Sequence, residues 1–316
     1  MQKLMVVLSV VLGAICPGSI ASRAADKPDW AYPVNPPPAA RDNVKLLTLP
    51  GSAKQYTEAQ INDGFAPPDW YPDEHPAMPH VVANGGPRPA GLACALCHLT
   101  SGDGHPESAD IAGQTEAYIV RQMAAFKSGE RKNNRATPMI NMAKVLSDEE
   151  IKQAAQYFAV LKPRAGYHKA VETETVPKTN LAPGAMRLAA ADGTTEPLGN
   201  RIITVPQNSE TVELRDPHFG FNANVPPGSI KRGEELATTG AGKTIPCAIC
   251  HGDDLMGLAD IPGIASQHAI YVYRQLRDIR DGDRTGGNVV LMKKVVANLS
   301  DDDMLALAAY VASRAP

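Results

Sequence analysis

"CALCHLTSG", residues 94–102, places two cysteines three apart with a histidine directly after the second. "CAICHGDDL", residues 247–255, repeats the arrangement 153 residues later. From each motif onward the two halves align at that offset without a gap. "IAGQ" (111–114) meets "IASQ" (264–267), and Tyr118, Arg121 and Gln122 meet Tyr271, Arg274 and Gln275. Gly129 and Arg131 meet Gly282 and Arg284, and "LSDEE" meets "LSDDD". A period this long is no solenoid repeat; it reads as a duplicated domain.

The chain around the repeat is exported in its sequence signature. Lys3 is a positive n-region, Leu4 to Ile15 is an apolar run, and Ser22-Arg23-Ala24 offers small residues for cleavage after Ala24. The run is too short to span a bilayer. Removing residues 1–24 takes Cys16 with it and leaves four of the five cysteines, all in the two motifs. The formal charge then moves from −3 to about −5, which gives no support for nucleic-acid binding. Aromatics are only 5% while Gly and Pro number 26 and 27, so something other than large side chains must help fill the cores. A flat apolar cofactor would serve.

Organisation follows from pattern. Residues 25–75 form a Pro-rich extension ("YPVNPPPAARD") with one short helix near 57–63. Ser147 and Ser300 are N-caps with acidic first turns, and Ile151, Ala154, Ala155, Phe158 and Leu161 mark one helical face. Met304, Leu307, Ala308 and Val311 repeat that face. Earlier helices are expected over 116–127 and 269–280. Residues 164–228, with "RIITVP" and "ETVELRD", read as a linker with short strands. "GSIKRGEELA" reads as a helix before Cys247, whereas the Gly/Pro-rich segment before Cys94 does not.

Chemically, two cysteines two residues apart can each bond one vinyl group of a haem, and the next histidine is placed to ligate its iron. Zinc would want four ligands per cluster, and a redox dithiol would want a βαβ context; neither is present. The motifs therefore predict covalent haem at Cys94, Cys97 and at Cys247, Cys250, with His98 and His251 on iron. For the opposite side, Met139 and Met142 compete in the first copy. The offset pairs Met139 with Met292 but Met142 with Val295, so Met139 and Met292 are the expected distal ligands, each 41 residues beyond its histidine. The other histidines have no counterpart at the offset and read as surface or structural.

These motifs together resemble the tandem dihaem class I cytochromes c, exported bacterial electron carriers. The resemblance covers residues 88–163 and 229–316. It implies a mainly α fold: two class I cytochrome c domains, small helical bundles around haem c at 76–163 and 229–316, joined by the strand-bearing linker. It also implies that Pro262 supplies the carbonyl accepting the proximal histidine's Nδ1–H, with Ala109 at that place in the first copy. Arg121 and Arg274 become candidates to approach haem propionates, or else ordinary exposed helix charges. The expected role is periplasmic electron transfer between a dehydrogenase or quinol-oxidising complex and a terminal oxidase or reductase, not catalysis. The alternatives are a cytochrome subunit of an exported dehydrogenase, or a peroxidase-like dihaem enzyme with one labile distal ligand.

Overall fold

The computed structural model describes residues 27–37, 41–133, 135–286 and 289–316. The leader and its cleavage site lie outside them. The extension is ordered by local chemistry. Strands β1 (Leu46–Leu47) and β2 (Tyr56–Thr57) pair antiparallel, and Thr57 caps helix α1 (Glu58–Ile61) in a reciprocal box with Gln60. Leu49, Ile61 and Trp70 close a small core of their own.

The first domain follows as α2 (His80–Ala83), α3 (Ala95–His98), α4 (Glu116–Ser128), α5 (Thr137–Val145) and α6 (Asp148–Val160). Thr115 caps α4 at its start, and Gly129 ends it in the left-handed region at φ 81°, where a side chain would be strained. Ser147 and Glu150 form the capping box of α6, whose three acidic first-turn residues suit the helix dipole. Its buried face packs with Ile119, Met123 and Phe126 of α4.

The linker holds β3 (His168–Glu172), β4 (Thr175–Pro177), β5 (Thr179–Ala182), β6 (Met186–Ala189), β7 (Thr195–Pro197), β8 (Ile203–Pro206) and β9 (Phe221–Val225). β3 runs parallel to β9, and β8 antiparallel to β9, in one three-stranded sheet; β5 and β6 form a hairpin. "RIITVP" is β8 with its lead-in. "ETVELRD" departs from its alternating pattern: Val212–Leu214 is a 3-10 turn ended by Arg215 at φ 61°. The turn delivers the Leu214 carbonyl to Trp70 Nε1, 2.7 Å away, a contact no local pattern encodes.

The second domain comprises α7 (Ser229–Thr239), α8 (Ala248–His251), α9 (Ala269–Asp281), α10 (Val289–Val296) and α11 (Asp301–Ser313). Every residue of α11 from Asp303 to Ala312 is buried, as befits a helix apolar on all sides. It packs against α7, α9 and β3. α7 crosses it at Gly233, where a Cβ would stand 2.0 Å from Ala306 O.

The domains meet about a pseudo-twofold axis. Arg131 and Arg284 bridge antiparallel, with Lys132 N–H donating to Asp283 O (2.9 Å) and Thr285 N–H to Glu130 O (2.7 Å). Gln114 donates to Gly263 O (2.9 Å), and Gln267 to Asp110 O (3.1 Å). Each contact is the 153-residue image of its partner, the self-complementary geometry of a twofold interface.

Candidate cofactor sites

Each motif is a single helical turn. His98 N–H donates to Cys94 O (3.0 Å) and His251 N–H to Cys247 O (2.9 Å), which sets both cysteines and the histidine around one turn. The imidazoles are buried. His98 Nδ1 lies 2.9 Å from Ala109 O, and His251 Nδ1 lies 2.8 Å from Pro262 O. A carbonyl only accepts, so Nδ1 carries the proton and the Nε2 lone pair is left for a metal. Burial pushes both histidines below their ordinary pKa, keeping them neutral near pH 7.

Burial also pushes the Cys94 thiol up to about 12 and that of Cys247 to about 11. These are not the thiolates of a reactive dithiol. Among the described residues no three His, Cys, Asp or Glu side chains cluster as a metal site, and the four cysteines are not in disulfides.

The methionines differ in setting. Met142 is 6% exposed within the first domain's core, whereas Met139 is half-buried at the edge of that core, as is Cys94. Met292 and Cys247 stand in the same relation to the second core.

At the twofold axis, Arg131 donates to Gln122 Oε1 (3.0 Å), Gln275 Oε1 (2.9 Å) and Tyr271 OH (3.4 Å). Arg284 mirrors it with Gln275 Oε1 (2.9 Å), Gln122 Oε1 (3.0 Å) and Tyr118 OH (3.3 Å), and its buried Nε has no hydrogen-bond partner among the described residues. Among the described residues the two guanidiniums have neutral side-chain hydrogen-bond partners, and Asp278 is a carboxylate that acts on Arg284 through space. Thiol pairs, neutral imidazoles, a methionine at the edge of each core and a guanidinium pair at the domain junction are compatible with two haems carrying carboxylate arms. The residues present fit the group.

Arg121 and Arg274 sit elsewhere. Arg121 binds the Asp260 side chain (3.1 Å) and carbonyl (2.5 Å) of the second domain. Arg274 is only 2% exposed, so the reading of an exposed helix charge fails for it. It donates to Ala31 O, to Pro106 O (3.2 Å) and to Glu107 Oε1 (2.6 Å) of the first domain. Glu107 and Asp260 are again 153 apart, so the two arginines are matched cross-domain struts. Arg131 and Arg284 were visible in the sequence only as repeat matches; the recurrent Gly-x-Arg after a helix was the available sign. Two further histidines have structural roles: His168 Nε2 is 3.0 Å from Asp110 Oδ2, with both groups buried, and His268 packs on the His168 ring at 4.0 Å.

Duplicated thiol pairs, each with a neutral imidazole whose Nε2 is free, define a protein with two covalent haem sites. The comparisons agree. The family model described as "Cytochrome c" matches residues 230–315. Cytochrome c-554(548) of Halomonas halodenitrificans is 42% identical over 79 residues, 25% of this chain and 95% of the relative. Cytochrome c4 of Stutzerimonas stutzeri is 27% identical over 230 residues, 69% of this chain and 82% of the relative. A "Thiosulfate dehydrogenase electron acceptor" of Thiomonas intermedia is 26% identical, covering 72% of this chain and 80% of the relative. The chain belongs to the class I cytochromes c in their two-domain, dihaem form. It is an electron-transfer cytochrome with two covalently bound haem c groups.

Proposed function

We propose that this cytochrome is a periplasmic carrier, taking electrons from an exported dehydrogenase or quinol-oxidising complex and passing them to a terminal oxidase or reductase. Bound haem c supplies a one-electron iron centre at each site. Cys94, Cys97, Cys247 and Cys250 hold the two groups by thioethers. His98 and His251 offer neutral Nε2 lone pairs, kept in that tautomer by the Ala109 and Pro262 carbonyls. Met139 and Met292 would supply the second ligand at each site, and the burial of Met142 in the core supports Met139 over its rival. A thioether on the iron favours the ferrous state and raises the potential. Arg131 and Arg284, paired at the domain junction, would offer guanidiniums to carboxylate arms of the bound groups. Arg121 and Arg274 fix that junction from either side.

The observation that carries the reading is the sameness of the two sites. Each has its own methionine and its own histidine clamp, so neither is built as an open catalytic centre. The name of the Thiomonas relative favours a dehydrogenase as the donor, which a docked cytochrome subunit would satisfy equally.

Carbon monoxide tests it. The reduced, matured protein should hold two haems per chain and show no spectral change on titration. Met139→Ala and Met292→Ala should each admit carbon monoxide at one haem, while Met142→Leu should not. Binding of carbon monoxide by the unaltered protein would bring forward the peroxidase-like reading.

A further inference from the structure

The two edges of the domain junction are built to different strengths. Arg121 and Asp260 meet on the surface, with 40% and 65% of their side chains exposed. Their images, Arg274 and Glu107, are 3% and 7% exposed and lie 2.6 Å apart. The buried edge carries a second cation as well. Arg135 stands 2.9 Å from the other Glu107 oxygen, whereas its match in the repeat is Asn288.

A strap at the start of the extension, Lys27–Pro33, completes that edge. Arg274 Nε donates to Ala31 O, and Arg135 Nη1 donates to Pro33 O at 2.9 Å. Ala31, Arg274, Glu107, Arg135 and Pro33 thus close a ring drawn from the strap and both domains. Beside it, the buried Asp278 accepts from Lys27 Nζ (2.9 Å), from Tyr32 OH (2.9 Å) and from Asn133 Nδ2 of the first domain. Lys27 also reaches Asp283 (2.5 Å), whose carbonyl accepts from the Lys132 N–H of the junction bridge. Ala31 and Tyr32 are buried in the second core, and the Trp30 ring packs on Tyr273 at 4.8 Å. On the other edge, among the described residues, Arg121 hydrogen-bonds to Asp260 alone.

We infer that the strap Lys27–Pro33 is a positioning element for electron exchange between the two haem sites: it fixes one edge of the junction, and the Arg121–Asp260 edge is the one that opens. The inference rests on the carrier reading and names the residues that govern its internal step. A buried carboxylate held by two guanidiniums cannot lose one partner without leaving charge uncompensated, whereas an exposed pair opens at little cost. The strap carbonyls take guanidinium protons that Glu107 leaves over, so the ring is satisfied only while the strap is seated. The strap lies outside the repeat and serves one edge only. In the half-reduced protein one centre loses the electron that the other gains, and that crossing depends on how closely the domains are held.

The test is amide hydrogen exchange on the matured dihaem protein, read at Lys132 and Thr285, whose N–H groups bridge the domains. Glu107→Gln should speed exchange at both about tenfold. It should slow electron exchange in the half-reduced protein, read by NMR line broadening, by a similar factor. Asp260→Asn should move either readout by less than about twofold. Lys27→Met, which leaves the ring's carboxylate in place, should shift both in the Glu107→Gln direction by about threefold. It decides the matter if Glu107→Gln does not mature. Equal effects of Glu107→Gln and Asp260→Asn, junction amides as protected as before, or faster junction amides with unchanged electron exchange would overturn the proposal. So would faster amide exchange spread evenly over α4, α9 and α11, the mark of a general loss of stability. Haem content and the carbon monoxide titration report separately on the carrier reading, and the amide readout needs no electron transfer.

Discussion

The first domain and the second start from one template and reach stability by different routes. The second has a full helix before its motif, α7, which lies so close to α11 that only glycine fits at position 233. The first has a single turn there, α2, and compensates with the extension. Trp70, Tyr56 and Leu49 form a lid core, tied by the Trp70 indole to the linker carbonyl of Leu214. The first domain thus carries a wrap where the second carries a helix. One lesson is that a missing element in a repeat is a place to look for a foreign one.

The strongest way to break this comparison is Trp70→Ala. Removing a buried indole and its hydrogen bond should cost about 3–5 kcal/mol. The loss should be confined to the wrap and first domain. Hydrogen exchange resolved by segment should lose protection over 46–78 and 94–100 and keep it over α7 and α11. Equal loss in both domains would mean that the wrap braces the whole molecule.

Gly233→Ala attacks the other side. Helix propensity favours alanine by about 1 kcal/mol. The overlap with the Ala306 backbone should outweigh it and leave a net destabilisation of about 2 kcal/mol. Exchange in α7 and α11 should rise while that of 46–78 stays the same.

The smallest effect sharpens the contrast by pH. Asp103 is buried where the second copy has the exposed Met256. Burial first, and then the neighbouring Asp110, push the Asp103 carboxyl up to about 6. An unfolded aspartate titrates near 3.9, so the charge opposes folding above about pH 6 and this cost vanishes below about pH 4. Stability should therefore gain from this group as pH falls through that window. Asp103→Asn should flatten the dependence, seen by denaturant unfolding at pH 7.5 and 5, and should stabilise the protein at the higher pH. A profile unchanged in the variant would show that other groups set it.

Much of the site was readable because its chemistry is local. Cys-x-x-Cys-His occupies one turn, and capping boxes such as Ser147 with Glu150 are completed within four residues. The duplicated spacing favours Met139 over Met142, because only Met139 has a methionine at its counterpart. What stayed hidden is what long-range contacts decide. The parallel pairing of β3 with β9 joins residues about fifty apart, and Val212–Leu214 gives up its alternating pattern to serve Trp70. Arg274 reads in sequence as either a propionate contact or an exposed helix charge, and neither reading includes its partners, Ala31, Pro106 and Glu107, which come from two distant segments. Arg131 and Arg284 acquire meaning only when a symmetry axis sets them face to face.

That axis gives one polypeptide the contact symmetry of a dimer. A free dimer of such units would fall apart on dilution. Here the linker keeps each half at an effective concentration on the order of millimolar around the other. Exchange between the two redox centres is therefore an intramolecular event, its rate the same in a dilute assay as in a crowded compartment. A single chain also frees each half from having to copy the other, so that one carries a wrap and the other a helix at the same place.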